Sequence, residues 1–112
     1  MANAYKNIKK TINAAGSDVD MYECPAATTA VFKSIRLFNT HSGTLTVTTK
    51  VYDSSSTTDF EFSTNNPTAS DSADMLTFNN VLVLEAGDKL KMQCATADKI
   101  KMTAAVLQIS RS

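Results

Sequence analysis

The sequence predicts an all-β fold: one antiparallel β-sandwich of about eight strands, either immunoglobulin-like or jelly-roll. Apolar and polar residues alternate with a period of two along most of the chain, the repeat of a half-buried strand. Serine and threonine are abundant, and Leu, Ala, Glu and Lys never gather into a helical stripe. Threonine is β-branched and suits the outer face of a strand. Short turn signals separate the apolar runs, and connections this short cannot carry parallel crossovers, so neighbouring strands should pair antiparallel.

Each element has its own justification. Ile8 and Ile12 in "AYKNIKKTIN" fall on one face of a strand. In "SDVDMYECP", Val19 and Met21 alternate with acids until Pro25 ends the run. "TTAVFKSIRLFN" places Val31, Ile35 and Leu37 on one face, with Lys33 intruding. Its other face carries Phe32, Ser34, Arg36 and Phe38, as in a central strand or one covered by a partner. "TLTVTTKVYD" turns Leu45, Val47 and Val51 inward and Thr44, Thr46, Thr48 and Lys50 outward. "DFEFST" sets Phe60 and Phe62 around Glu61.

"ADMLTFNNVLVLEAG" brings Leu76 and Phe78, then the apolar run Val81 to Leu84, with a bulge expected at Asn79-Asn80. "DKLKMQCA" alternates Leu90, Met92 and Cys94 against Lys89, Lys91 and Gln93. The last strand carries Ile100, Met102, Ala104 and Val106 before the phase shifts to Leu107 and Ile109, which predicts a bulge near Ala105. The turn "HSG" offers a glycine able to take positive φ in a hairpin with His41 at its tip. "EAGD" and "TADK" serve as the next two turns. No linker divides the chain, so residues 1–112 read as one sandwich domain. Residues 1–15 are an N-terminal arm or edge strand, and the acidic, Ser/Thr/Asn-rich stretch 53–74 is a polar surface excursion with room for one short edge strand.

A chain of 112 residues with 43% hydrophobic and 20% charged content is large and apolar enough to build a core. Eleven basic residues balance eleven acidic ones, so no global charge draws it to nucleic acid or an anionic membrane. No apolar run approaches the roughly 20 residues of a bilayer span. "MANAYKNIKKTINAAGSD" lacks the apolar core of a signal peptide, which points to synthesis in a cytoplasm. Cys24 and Cys94 form no C-x-x-C motif and should remain free, buried thiols.

Catalytic and metal-binding vocabulary is sparse. His41, beside Thr40 and Ser42, is the one imidazole, and no serine stands in a G-x-S-x-G elbow. One histidine and two separated cysteines do not form a zinc site. Asp18 and Asp20 form a D-x-D pair without the glycine and distal glutamate of an EF-hand. The three glycines, at 16, 43 and 87, form no phosphate cradle. No catalytic, cofactor-binding or metal-ligating residue is therefore assigned. Lys89, Lys91, Lys99 and Lys101 alternate outward; if the last two strands form a hairpin, they share one face. That face reads as a solvated, edge-protecting surface in preference to a docking patch.

Two longer stretches, "YECPAATTAVFKSIRLFNTHSGTLTVTTKVYD" and "NNVLVLEAGDKLKMQCATADKIKMTAAVLQIS", together resemble a group of small virion proteins of tailed phages, frequent in marine and cyanobacterial phages. Pro25, Thr28, Thr29, Lys33–Leu37 and Asn39 carry the first part of the pattern, and Leu82–Asp88 with Leu90 the second, over residues 22–110. The resemblance implies a β-sandwich that attaches to a capsid, neck or tail, and it implies no catalytic residue. The expected role is a non-enzymatic virion structural protein, above all a capsid decoration or cement protein on the exterior of the major capsid lattice. The alternatives are a neck, tail-adaptor or tail-fibre-associated component, or a surface- or glycan-binding module. The expected partners are the major capsid protein or other virion proteins and further copies of this chain, without nucleic acid, membrane or cofactor. The expected location is the virion.

Overall fold

The computed structural model describes residues 2–65, 72–76 and 82–110, and all its regular structure is β. Nine strands follow in order: β1 (Ala2–Thr11), β2 (Val19–Glu23), β3 (Thr28–Asn39), β4 (Val47–Asp53), β5 (Thr58–Asn65), β6 (Ser72–Leu76), β7 (Leu82–Leu84), β8 (Lys89–Cys94) and β9 (Ile100–Ser110). They form two antiparallel sheets. The first has the order β1-β9-β3-β6, and β7 continues the β6 row along the same edge of β3. The second has the order β2-β8-β4-β5. Nine segments thus fill eight rows, the expected antiparallel sandwich. Of the two strand orders left open by the sequence, the interleaved order is that of a jelly roll.

Alternation dictates which side chains enter the space between the sheets. Val19 and Met21 of β2, Leu90, Met92 and Cys94 of β8, and Ile100, Met102, Ala104 and Val106 of β9 are all buried, as their period-two spacing predicts. Phe32, Ile35 and Leu37 fill the centre from β3, and Val47 and Leu84 close it from β4 and β7. Removing the Phe32 ring would cost about 3–5 kcal/mol, the range for a buried aromatic cut to alanine.

Strand β3 departs from the predicted phase. Ala30 and Phe32 are inward before Lys33, and Ile35, Leu37 and Asn39 are inward after it. Pairing with β9 skips Lys33, between Phe32↔Val106 and Ser34↔Ala105. The intruding lysine is a β-bulge, and the extra residue resets which side of the strand faces the core. Val31 therefore points outward, opposite to the expectation. The bulge expected near Ala105 lies across the ladder, in β3; β9 pairs with β1 without interruption from Ser110 to Lys101. Leu107 and Ile109 consequently stay on the outer face. The Asn79-Asn80 bulge falls outside the described residues.

The turns also differ from the expectation. β3 and β4 lie in different sheets, and so do β7 and β8, and β8 and β9. "HSG", "EAGD" and "TADK" are therefore crossovers between sheets, not hairpin turns. Gly43 does not take positive φ, whereas Gly87 does, at 87°. The chain from β4 into β5 is a true hairpin. Within the 53–74 stretch, β5 is an eight-residue edge strand, in line with the edge strand expected there, and β6 pairs with β3.

Candidate functional site

His41 stands on the crossover from β3 to β4. Strand β3 ends at Asn39, which is fully buried and directs its side chain into that crossover. Its Oδ1 accepts the His41 backbone N–H at 2.8 Å, and its Nδ2 donates to Gly43 O at 2.8 Å. The imidazole Nδ1 accepts the Gly43 N–H at 3.0 Å. Thr40 anchors the same crossover to the β8–β9 connection, its N–H and hydroxyl both donating to Lys99 O. The ring is thus a brace for its own loop. With Nδ1 accepting, the neutral imidazole carries its proton on Nε2.

The jelly-roll order separates the four lysines that a hairpin would have grouped. Lys89 and Lys91 lie on the outer face of the second sheet, and Lys101 on the outer face of the first. On the second sheet the lysines are matched. Lys50 pairs with Asp18 at 3.2 Å, Lys89 with Asp20 at 3.6 Å and Lys91 with Asp59 at 3.2 Å. Lys89 and Lys91 also stand over the Tyr52 ring, at 5.6 and 4.9 Å from its centroid. Asp18 and Asp20 are thereby engaged by lysines. Among the described residues no group of three His, Cys, Asp or Glu side chains is placed to hold a metal ion.

The first sheet is different. Lys9, Lys10 and Lys101, with Thr11, Asn13 and Thr103, line an open groove of about 610 Å³ where β1 meets β9. Among the described residues no carboxylate reaches these lysines. Farther along the outer face that carries Lys9, Thr11, Lys101 and Thr103 runs an apolar row. Tyr5 of β1 faces Leu107 of β9, Leu107 faces Val31 of β3, and Val31 faces Val83 of β7. Directly paired residues share a face, so the four side chains cross the sheet side by side. Tyr5 is 74% exposed and Val83 50%. The sequence pattern grouped Val31 on one face with Ile35 and Leu37, and gave Leu107 a shifted phase after Val106. The signal that could have corrected it was the clash of phase at Lys33.

Both cysteines are buried and neither forms a disulfide. The Cys24 thiol donates to Thr28 O at 3.2 Å and lies 3.6 Å from Leu84 O. Between the sheets, Gln108 Nε2 donates to the Tyr22 hydroxyl at 2.5 Å, and the Tyr22 ring meets Phe32 edge-on at 5.1 Å. Burial pushes the Tyr22 phenol above its usual pKa, against the opposing effect of the Gln108 hydrogen bond.

Fold and surface together define a jelly-roll β-sandwich whose distinctive features are faces and edges. No protein-family model and no curated protein matches the chain. Solved structures do match at the level of fold. One is a chain of the disulfide-linked pili called Bacillus endospore appendages, at 16% identity and a TM-score of 0.57, covering 99% of this chain and 88% of that one. Another is a chain of the T13 infectious bursal disease virus particle, at 9% identity and a TM-score of 0.55. That match covers 97% of this chain but only 31% of the viral one. A pentameric capsid protein from metagenomic phage sequences aligns at 17% identity over 94% of this chain and 62% of its own, with a TM-score of 0.46. The first two of these matches show a shared fold and nothing finer.

Proposed function

We propose that this chain is a non-enzymatic structural component of a bacteriophage virion, a decoration or cement protein bound to the exterior of the major capsid lattice. The observation that carries this reading is the apolar row Tyr5–Leu107–Val31–Val83 on the open face of the first sheet. A contiguous apolar strip on a sheet face marks a protein contact. The pattern over residues 22–110 that resembles tailed-phage virion proteins supports the reading. So does a jelly-roll shared with a chain of an icosahedral virus particle. A modest strip of this kind gains strength by repetition, since many copies on a symmetric lattice add avidity.

The test is copy number per purified particle, by quantitative mass spectrometry against the major capsid protein. Hundreds of copies are expected. A small multiple of three or six would move the protein to the neck or tail. Absence from particles would overturn the virion reading.

A further inference from the structure

Net charge is zero, yet two edge strands, β1 and β5, carry charge of opposite sign. Strand β1 is the outer edge of the first sheet. It carries Lys6, Lys9 and Lys10 and no acid, and all three are exposed. Among the described residues none has a carboxylate within ion-pair distance. Strand β5 is an outer edge of the second sheet. Residues 53–61, which lead into it, carry Asp53, Asp59 and Glu61 and no base. Asp59 is matched to Lys91, and Glu61 stands opposite Lys50 without a cation within ion-pair distance among the described residues, Lys50 being paired with Asp18.

The two edges face away from each other. β5 touches β6, which lies on the side of the first sheet remote from β1. Each edge also presents a row of backbone N–H and C=O groups that its own sheet leaves unpaired, a template for another strand. Exposed aromatics accompany both: Tyr5 on β1, and Phe60, 54% exposed, on β5.

We propose that copies of this chain associate head to tail, the basic β1 edge of one pairing with the acidic β5 edge of the next. The occupant is a second copy because the same chain supplies both halves of the charge match. Like charges disfavour β1 against β1 and β5 against β5, so the lysines that guard an edge against one partner select another. The contact is heterologous: a pair of copies leaves one β1 edge and one β5 edge unused, so the assembly closes into a ring or extends. This association stands independently of any attachment to a particle.

The experiment is sedimentation velocity on the full chain at low ionic strength and again near 1 M salt, where the screening length falls to about 3 Å. Two charge-reversal variants accompany it: Lys6→Glu with Lys9→Glu and Lys10→Glu, and Asp59→Lys with Glu61→Lys. The wild type should associate at low salt and dissociate at high salt. Each variant alone should sediment as a monomer with a wild-type circular dichroism spectrum. An equimolar mixture should recover association, because every β1 edge then meets an oppositely charged β5 edge. Recovery cannot come from misfolded chains. A wild type that stays monomeric at low salt, variants that associate like the wild type, or a mixture that stays monomeric would each overturn the proposal.

Discussion

Asp88 holds Ser54 from 34 residues away. Its Oδ1 accepts the Ser54 N–H at 3.0 Å and lies 3.2 Å from the Ser54 hydroxyl, which also reaches Ala86 O at 3.1 Å. The second carboxylate oxygen accepts the Glu85 N–H at 3.0 Å. The Asp88 carbonyl accepts the Cys24 N–H, and Gly87 N–H donates to Cys24 O. One buried residue thus joins the β7–β8 crossover, the β4–β5 turn and the end of β2. Gly87 completes the junction: a Cβ there would stand 2.9 Å from the Ser54 hydroxyl, at a φ that side chains rarely adopt.

Replacing Asp88 by alanine should therefore destabilise the fold strongly. The Ser54 and Glu85 amides lose their acceptor in a half-buried site, and each such loss costs about 1–3 kcal/mol. Urea unfolding should show a total near 2–4 kcal/mol. A loss below about 0.5 kcal/mol, the size of an ordinary surface change, would show that the junction does not matter.

His41→Ala should fold normally. It removes the acceptor of the Gly43 N–H, but that loop is partly solvated, so the expected cost is about 1 kcal/mol. Asn39→Ala should cost more, because Asn39 is fully buried and bonds both His41 and Gly43. Paired thermal melts give the order. Equal melting temperatures for the two variants would contradict it.

Alkaline stability should depend on Tyr22. Burial raises its pKa in the folded state above the usual phenol value of about 10. The folded state therefore favours the protonated phenol. Its contribution is complete below the unfolded pKa and is lost as pH rises through the folded one. Stability should fall above about pH 10, and Tyr22→Phe, which cannot ionise, should lose that step. Denaturant midpoints measured across that range, identical in shape for wild type and variant, would rule this out.

Cys24 and Cys94, each 1% exposed, should resist a thiol reagent until the chain unfolds. Both should titrate in denaturant, and neither quickly in native buffer, since access requires opening of the fold. Rapid native labelling of Cys24 would show that the β2–β3 corner opens locally.

Much of the sandwich is legible in order along the chain. The alternation in "VDM", "KLKMQC" and "IKMTAAV" names the buried residues of β2, β8 and β9, because a strand's period of two is a local property. The same reasoning fails at β3. A single extra residue at Lys33 reverses the inward face; the lysine among apolar positions marks the place, but only the pairing with β9 shows that the strand bulges there.

The sequence by itself determined that this protein is all-β and antiparallel, with two buried thiols, since alternation, composition and short connections are local features. Only the tertiary structure decided which sheet each strand joins, because a short glycine-bearing turn serves a hairpin and a crossover equally well. That decision moved Lys101 to the opposite face from Lys89 and Lys91 and turned Val31 and Leu107 outward beside Tyr5. It also set a basic edge and an acidic edge on opposite sides. β1 finds β9, and β9 finds β3, across most of the chain length. Those pairings follow from burying all the inward faces at once, which no single segment encodes.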